Sequence, residues 1–515
     1  MNFISTRGGE KVTGARAIVQ GLSAGGGLFV PETFPPVTRE ELEEMLPMSY
    51  PERAAKVLSK YLDDYDGAGL LSALDKAYSK FEGDPAPLVK IDDGIYILEL
   101  WHGPTCAFKD MALTVLPYLL RKGCDICGIK EQILILVATS GDTGKAALEG
   151  FKDAEGIKIM VFYPDDGVSK MQKLQMCTQE GKNVNVVAVK GNFDDCQTAV
   201  KEIFASEEYA KILKDKNVIL SSANSINFGR LAPQIAYYFS SYLDLVSGGQ
   251  IEMGQEIDFS VPTGNFGNIL AAYYAKRMGL PVRRLHCASN LNNVLTDFFA
   301  SGKYDTHRNF YKTTSPSMDI LISSNLERLL FEICGRDTGR TAELMKQLKE
   351  KGEYTITAEE KAKIAEIFDG GFANEDEVVE TIYDVFCDTG YTMDTHTGCA
   401  MKVALDWFDK NKKDTTNMVV VSTANPYKFP QDVLYAVTGN DVKDSFKGIK
   451  RLHAATAMAV GGGARFCLKK ICLFFKNFFF KFIAPGRFSM RRGALFISGQ
   501  APLRKGGRST RAPLV

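Results

Sequence analysis

Seven short apolar runs, separated by amphipathic helical patterns, constrain the fold of this chain more than any other feature. Between most of the runs, apolar residues recur with the spacing of one helix face. Parallel strands need long crossover connections, which are usually helices, so this alternation predicts βα units and largely parallel sheets. The runs cover residues 133–138, 157–162, 184–189, 218–221, 259–261, 284–288 and 418–421.

The two ends of the chain differ from this middle part. Residues 5–87 have mostly helical patterns, punctuated by glycines and prolines, and end in the Gly- and Pro-containing loop 83–87. We therefore predict a mostly helical N-terminal domain over residues 1–87. The region 88–450 is predicted to hold two α/β subdomains, of which the smaller covers approximately residues 110–240, and residues 451–515 form a separate tail.

The tail is distinguished by its charge. Residues 451–515 contain thirteen Lys and Arg and no Asp or Glu, whereas the other residues carry 49 basic and 62 acidic side chains. An acidic body disfavours nucleic acid, and we expect no such partner.

The Phe- and Lys-rich run 473–482 is typical of translated AT-rich non-coding DNA, so we predict that the tail lies outside the fold, with at most a short helix at 466–482. The alternative is a segment that binds a membrane surface.

Cysteines and histidines indicate neither a disulfide scaffold nor a metal site. The eleven cysteines lack paired spacing, and the single CxxC pair, Cys124 and Cys127, has no second pair or nearby histidine. We interpret both as ordinary thiols in a reducing compartment and expect no catalytic metal. The N-terminus lacks the apolar core of a signal peptide, and no apolar stretch before residue 470 has the length of a membrane span, so we expect a cytoplasmic location.

A lysine in an unusual setting is the first candidate for chemistry. Lys109 follows the strand-like run 95–100 and the turn Gly103-Pro104, and it precedes an apolar helical pattern at 111–120. It is either a solvated lysine at a helix start or a lysine that its apolar neighbours desolvate. Desolvation lowers the pKa of an ammonium and makes the amine available as a Schiff-base nucleophile.

Three strand-to-loop junctions carry further candidates, because ligands of open α/β sheets bind at the carboxyl ends of strands. The segment 139–145 has two glycines and several hydroxyls at a helix start, which suits a small anion or a plain βα turn, and it does not match a Walker A loop. The segment 262–268 opens the predicted helix 269–278 with two glycines and two asparagines, which can cradle a phosphate. Thr423, after the strand 418–421, can reach a ring nitrogen or cap a turn.

An activatable lysine, a phosphate cradle and a hydroxyl for a ring nitrogen together describe a pyridoxal phosphate site. The segments 102–110, 139–144, 224–230 and 264–268 resemble those of threonine synthases, in the order of that family, and the similarity extends from residue 3 to about residue 450. The resemblance implies a tryptophan synthase β-like fold (fold type II), with two open parallel-sheet α/β domains and an N-terminal mostly helical domain. Residues 468–482 are unlike the family's closing segment.

The resemblance also implies a role for each matching residue. Lys109 would hold the cofactor covalently and then move protons. Thr423 would hydrogen-bond the pyridine nitrogen, and Asp142 would lie beside the 3′-oxygen of the cofactor. The cofactor phosphate would be bound by Gly264, Asn265, Phe266, Gly267 and Asn268. The substrate carboxylate would be bound by Ser140, Gly141 and Thr143, and the substrate phosphate by Asn224, Ser225 and Arg230, since a guanidinium suits a phosphate.

The reaction that the resemblance implies converts O-phospho-L-homoserine and water into L-threonine and phosphate. Two alternatives within the fold are a phospho-lyase that releases 2-oxobutanoate and a serine/threonine dehydratase, although the phosphate-binding segment 224–230 disfavours the dehydratase. A third alternative is a non-catalytic homologue that acts as a binding protein. The expected partner is a small-molecule substrate. The protein itself is expected to be a monomer or a homodimer.

Overall fold

Two parallel sheets form the centre of the molecule, and the loops at their strand ends carry most of the candidate residues. The computed structural model describes residues 1–139, 141–165, 168, 170–191 and 193–456. The strands are β1 (Asn2–Ser5), β2 (Val12–Thr13), β3 (Phe29–Pro31), β4 (Leu88–Asp92), β5 (Ile95–Glu99), β6 (Gln132–Ala138), β7 (Ile157–Pro164), β8 (Val184–Val189), β9 (Val218–Ser222), β10 (Ile257–Pro262), β11 (Val282–Ser289), β12 (Lys303–Asp305), β13 (Glu353–Thr355), β14 (Phe368–Phe372) and β15 (Met418–Ser422).

Helices cover both sheets and build most of the N-terminal part. They are α1 (Gly14–Gln20), α2 (Arg39–Met45), α3 (Tyr50–Ser59), α4 (Gly67–Tyr78), α5 (Asp110–Leu113), α6 (Leu116–Ile126), α7 (Asp142–Gly150), α8 (Lys170–Cys177), α9 (Phe193–Ala205), α10 (Glu207–Asp215), α11 (Phe228–Ser247), α12 (Gly267–Arg277), α13 (Val294–Ser301), α14 (Leu326–Ile333), α15 (Thr338–Lys351), α16 (Ala358–Ala365), α17 (Glu375–Thr389), α18 (Thr395–Lys410), α19 (Pro430–Thr438) and α20 (Ser445–Thr456).

The larger sheet has six strands in the order β14-β11-β10-β15-β5-β4. All neighbouring strands are parallel except β4, which pairs with β5 in the antiparallel direction at one edge. The residues of β10 and β15 are buried throughout, as expected for central strands with helices on both faces. Strands β10, β15 and β5 are neighbours, so the loops that follow them meet at one edge of the sheet.

The smaller sheet is fully parallel, in the order β8-β7-β6-β9. Helix α11 follows β9 and has nearly all of its twenty residues buried. The N-terminal part packs directly on this helix: the ring of Phe228 makes edge contacts with Phe3 and Tyr61, at centroid distances of 4.6 and 5.6 Å. The N-terminal helices therefore share a hydrophobic core with both sheets.

All seven strands predicted from apolar runs are present, with ends that differ by at most two residues. The N-terminal part is mostly helical, as predicted, and β2, β1 and β3 also form a small antiparallel sheet there. One prediction is wrong in detail. The helical pattern at 111–120 is divided into α5 and α6, and Pro117 lies at the start of α6, where its missing N–H costs nothing.

The end of the described chain also corrects the predicted tail boundary at residue 451. Helix α20 continues to Thr456 and packs against α19, with Ile449 and Leu452 buried in the same hydrophobic cluster. Residues 451–456 therefore belong to the fold. The predicted short helix at 466–482 lies outside the described residues. None of the helices in the described part of the chain combines the length and apolar composition needed to cross a bilayer.

Candidate active site

The candidate segments follow neighbouring strands of the two sheets. In the larger sheet, the Lys109 loop follows β5, Thr423 follows β15 and the glycine-rich segment 263–268 follows β10. In the smaller sheet, the segment 139–143 follows β6, and the segment 224–230 follows its neighbour β9. Because each set leaves the carboxyl ends of adjacent parallel strands, topology alone brings its members close together.

The loop that carries Lys109 is fastened to the loop that carries Thr423. The Phe108 amide donates to the Thr423 carbonyl (2.9 Å), and the Asn425 amide donates to the Cys106 carbonyl (3.1 Å). A β-bridge links the residues between them. Cys106 has a φ of 59°, in the left-handed region, which produces the sharp bend before the lysine. Backbone hydrogen bonds thus join two segments far apart in sequence directly beside Lys109.

Lys109 is buried, which decides between the two interpretations of its sequence context. Its side chain is 8% exposed, and its Nζ lies 4.8 Å from the ring centroid of Phe108. Burial lowers the pKa of Lys109 to about 8; Asp142 opposes this effect, and the cations of Lys428 and Arg230 add to it. An amine with this pKa is about one-tenth deprotonated at pH 7, a far larger fraction than an ordinary lysine provides, and the neutral form is the one that acts as a nucleophile or a base.

Asp110, the next residue, shapes the loop from inside. Its carboxylate accepts hydrogen bonds from the Thr105 amide and hydroxyl, both at 2.6 Å. Gly103 packs so closely against it that a Cβ would lie 2.5 Å from the Asp110 Cβ. Burial raises the pKa of Asp110 to about 6, against the two hydrogen bonds from Thr105, which lower it. Asp110 therefore holds the loop in shape from the first residue of α5.

The glycine-rich segment after β10 forms a turn that presents the start of α12. Phe266 is in the left-handed region with a φ of 62°, and no side chain caps the helix that begins at Gly267. A Cβ at Gly264 would lie 3.0 Å from the Ser317 carbonyl, so only glycine fits comfortably. The Ser323 hydroxyl donates to the Gly264 carbonyl (2.7 Å). Uncapped N–H groups at the start of a helix are suited to bind an anion.

Helix α11 and the loop before it approach this turn from the smaller sheet. The Asn268 side-chain oxygen accepts hydrogen bonds from the hydroxyls of Tyr237 and Tyr238. A Cβ at Gly267 would lie 3.7 Å from the Ser225 Cβ. The buried Arg328 guanidinium donates to the Ile226 carbonyl (2.6 Å) and also binds the Asn325 side chain. The segments 224–230 and 264–268 are therefore neighbours in the structure.

Arg230 lies on the first turn of α11 and is 4% exposed. Its Nη1 donates to the Ala223 carbonyl (2.9 Å), and its buried Nε has no hydrogen-bond partner among the described residues. Burial lowers the pKa of Arg230 to about 10. A buried guanidinium without a carboxylate is costly, so this position suits an anionic ligand.

The segment after β6 is organised by Thr139. Its hydroxyl oxygen accepts from the amides of Gly141 and Gly144, both at 3.0 Å. Gly141 has a φ of 154°, and a Cβ there would lie 2.3 Å from Gln172 Nε2. Asp142 is buried at the start of α7, and Thr143 is partly buried. Ser140, a predicted ligand of the substrate, lies outside the described residues.

Asp142 forms an ion pair that the sequence did not suggest. Its Oδ1 lies 3.1 Å from Lys428 Nζ, and both side chains are almost fully buried. Burial alone would raise the pKa of Asp142, but Lys428 and Lys109 outweigh it and hold this pKa at about 2. Lys428 follows Thr423 by five residues, so a second lysine in the β15 loop was the available clue. His396, which also acts on Asp142, was missed as well.

Four buried polar atoms in these loops test whether a phosphorylated cofactor and substrate fit. Within the described part of the chain these atoms have no hydrogen-bond partner, although buried polar groups are nearly always paired. They are Asn224 Oδ1, Arg230 Nε, Asn268 Nδ2 and Asn425 Nδ2. Two of the four are donors in the segments expected to bind phosphate. The residues present therefore fit pyridoxal phosphate and a phosphorylated substrate.

The other sequence candidates lie away from these strand ends. Cys124 is buried, and burial raises the pKa of its thiol to about 11, which makes it a poor nucleophile or metal ligand. Among the described residues, one group of three side chains could hold a metal ion, namely Asp305, His307 and Glu353 on β12 and β13. Lys303 already pairs with both carboxylates, at 3.0 and 2.7 Å.

Comparison with known families assigns three regions of the chain. Residues 81–351 match the model of pyridoxal-phosphate dependent enzymes, residues 2–78 the threonine synthase N terminus, and residues 397–457 the C-terminal threonine synthase model. Threonine synthase from Pseudomonas aeruginosa is 37% identical over 85% of this chain and 91% of that protein. Threonine synthase-like 1 from Homo sapiens is 39% identical over 84% of this chain, but the match spans only 59% of that longer protein.

Solved structures agree with these assignments. The chain is similar to the PLP-bound threonine synthase from Brucella melitensis, with a TM-score of 0.79, 38% identity, and coverage of 88% of this chain and 94% of that one. Yeast threonine synthase gives a TM-score of 0.78 and 33% identity, with the same coverage. These similarities confirm the predicted fold class, with two parallel α/β sheets and the additional N-terminal part.

Proposed function

Because this chain belongs to the threonine synthase family of pyridoxal phosphate-dependent enzymes, we propose that it converts O-phospho-L-homoserine and water into L-threonine and phosphate. The observation that carries the proposal is the meeting of one buried, low-pKa amine with two anion sites. Lys109 lies in the same cluster of loops as the uncapped helix start at Gly267 and the buried guanidinium of Arg230. One anion site suits a cofactor phosphate and the other a substrate phosphate.

The cofactor would be held by residues from the larger sheet. Lys109 would bind it covalently, and Thr423, 6% exposed in the loop beside the lysine, would hydrogen-bond the ring nitrogen. Its phosphate is assigned to the backbone amides of the turn that begins α12, formed by Gly264, Asn265, Phe266, Gly267 and Asn268. When bound, pyridoxal phosphate supplies an electron sink that stabilises negative charge at carbons near the substrate amine.

The substrate would be held by residues from the smaller sheet. Arg230 would bind the phosphate of phosphohomoserine, since its buried Nε is a donor without a partner among the described residues. Asn224 and Ser225 are assigned to the same phosphate because they belong to the same segment, 224–230. The substrate carboxylate is assigned to the loop at the start of α7, formed by Ser140, Gly141 and Thr143. Binding at both ends orients the carbon atoms between them toward the Lys109 amine.

Lys109 would also move the protons of the reaction. Its pKa of about 8 allows the amine to accept a proton and return it near neutral pH, which is the condition for general acid–base catalysis. The substrate Cα and Cβ are the atoms that exchange protons with it. Asp142 stays ionised throughout this pH range, because Lys428 and Lys109 together hold its pKa far below neutrality despite its burial. The negative charge of Asp142 therefore stabilises the protonated form of Lys109.

We propose that the protein acts in the cytoplasm, either as a monomer or as a homodimer. The buried thiols support a reducing compartment, because Cys124, Cys196, Cys287 and Cys399 are free cysteines within the core.

The direct test is phosphate release from O-phospho-L-homoserine, coupled to identification of the organic product. Threonine is expected. A 2-oxobutanoate product would show a phospho-lyase, and a folded protein that binds pyridoxal phosphate without releasing phosphate would show a binding protein.

Lys109→Ala and Lys109→Arg should both lose turnover and the visible absorption band of the bound cofactor, since a guanidinium forms no Schiff base. Threonine production at the parent rate by either variant would contradict the assignment.

A matched control is Lys60→Met. Lys60 donates to the Pro36 carbonyl and to Glu41, both at 2.7 Å, in the N-terminal part of the chain. Its replacement removes a lysine with similar contacts outside the proposed site, so the band and the turnover should remain.

A further inference from the structure

Lys428 is a buried lysine that bridges the two sheets at the candidate site. It follows β15 of the larger sheet, and its Nζ donates to the carbonyl of Thr105 (3.0 Å), four residues before Lys109. The same Nζ lies 3.1 Å from Oδ1 of Asp142, which begins α7 on the smaller sheet. A single ammonium therefore contacts the lysine loop and the first helix of the other sheet.

On this basis, and resting on the function proposed above, we propose that Lys428 is a positioning residue that clamps Asp142 against the loop carrying Lys109. Neither the family match nor the sequence pattern assigns a role to this side chain. The clamp is specific to a lysine, because an ammonium offers three donors at a single point, whereas a guanidinium is planar and larger. Two of those donors are used by Asp142 and Thr105.

Charge makes the clamp more than a packing contact. Burial raises the pKa of Asp142 and lowers that of Lys428, but the pairing reverses both effects, so both groups are ionised in the folded protein. Removing one member would leave the other as an uncompensated buried charge beside Lys109. The charged and titratable groups that act on these three residues are Arg230, Asp110, Cys106 and His396.

The two members of the pair act on the Lys109 amine in opposite directions. Lys428 disfavours a positive charge at Lys109, and Asp142 favours one. Loss of Lys428 should therefore make the nitrogen of Lys109 harder to deprotonate, and loss of the Asp142 charge should make it easier. A residue that merely fills space would produce neither effect.

The experiment is a pH titration of the visible absorption band of the purified holoenzyme, with thermal unfolding and kcat and KM measured in parallel. In Lys428→Met, which keeps the length of the side chain without its charge, we expect the titration midpoint to rise by about one pH unit. Asp142→Asn should lower it. The double variant should lie between the two single variants, because both charges are then absent. Lys60→Met is the control and should leave the midpoint unchanged.

Each outcome decides the proposal. An unchanged midpoint in Lys428→Met with normal unfolding, or shifts of the same direction in Lys428→Met and Asp142→Asn, would overturn it. If Lys428→Met does not fold, Lys428→Arg replaces it: the midpoint should stay within about half a unit because the charge remains, and kcat should fall because the geometry changes. A shifted midpoint with unchanged kcat in that variant would also overturn the clamp. Absence of any band in the parent protein would instead refute the proposed function.

Discussion

Replacing Lys109 by methionine should stabilise the cofactor-free protein while it abolishes function. Burial lowers the pKa of Lys109 from an ordinary value of 10.5 to about 8. Each pKa unit corresponds to about 1.4 kcal/mol, so at pH 7 the buried ammonium lowers the free energy of unfolding by about 3 kcal/mol. Methionine has a similar length and no charge. Asp142 keeps Lys428 as its partner at 3.1 Å, so the substitution leaves no buried charge unpaired.

The pH dependence of this gain identifies its cause. Because the folded-state pKa of Lys109 lies below its unfolded-state value, the destabilisation is complete below pH 8 and is relieved as the pH rises from about 8 toward 10.5. The difference in unfolding free energy between variant and parent should thus fall from about 3 kcal/mol at pH 7 to about 1 kcal/mol at pH 9.5. Urea unfolding of the cofactor-free proteins, followed by tryptophan fluorescence, measures both values.

Two results would refute this reasoning. The first is a Lys109→Met variant that is no more stable than the parent at pH 7. The second is a stability difference that does not change with pH, which would show a packing effect and not the removal of a charge. Lys60→Met is the comparison: Lys60 is about one-fifth exposed and paired with Glu41, so its loss should cost at most about 1 kcal/mol.

Two further predictions test the anion sites separately. Arg230→Ala should lose about ten- to a hundredfold in kcat/KM, because a charged hydrogen bond contributes roughly 1.5–3 kcal/mol. Its cofactor affinity should stay unchanged. Loss of the cofactor with unaltered substrate preference would mean that the two phosphate sites are interchanged. Gly264→Ala should weaken cofactor binding about fivefold in equilibrium titrations, because its Cβ would lie 3.0 Å from the Ser317 carbonyl, a contact that shifts the turn at a cost of about 1 kcal/mol. Gly25→Ala, where a Cβ would meet nothing within 4 Å, is the control and should bind normally.

The central fold could be predicted because its strands are continuous apolar runs. Strands such as β10 and β15 are buried on both faces, so each of them appears in the sequence as a short hydrophobic segment. The missed strands lack this property. Strand β14 contains Gly370 and Gly371, and the edge strand β4 is half polar, so neither has the composition of a buried strand. Their positions depend on pairing with β11 and β5, which a local pattern does not specify.

In the candidate site, too, some residues could be predicted from the local sequence and others could not. Lys109, Thr423 and the glycine-rich turn could be located because each follows a predicted strand and has local composition suited to its chemistry. The partner of Asp142 could not, because Lys428 lies far away in sequence and pairs with it only through the arrangement of the two sheets. The burial of Lys109 could not be predicted either, because it depends on segments far away in sequence, such as the loop around Thr423 that is hydrogen-bonded to the lysine loop.

Truncation of the chain at two neighbouring positions tests where the fold ends. Helix α20 runs to Thr456, and Leu452 in it is fully buried against the cluster that contains α19. His453 Nδ1 lies 3.3 Å from the Tyr427 hydroxyl, next to Lys428. A chain that ends at Lys450 should therefore lose about 1.5–3 kcal/mol of unfolding free energy from Leu452 alone. It should also bind the cofactor more weakly.

A chain that ends at Thr456 should keep the stability and cofactor affinity of the full-length protein, because the charge and composition of residues 457–515 predict that they lie outside the fold. Leu452→Ala in the full-length chain is the matched control and should reproduce most of the stability loss of the shorter truncation. If removal of residues 457–515 reduces stability or cofactor affinity, the hypothesis of translated non-coding sequence is contradicted. Detection of C-terminal peptides covering 466–515 in protein from the native source would contradict it as well. Binding to anionic vesicles that disappears with this truncation would favour the membrane-surface alternative.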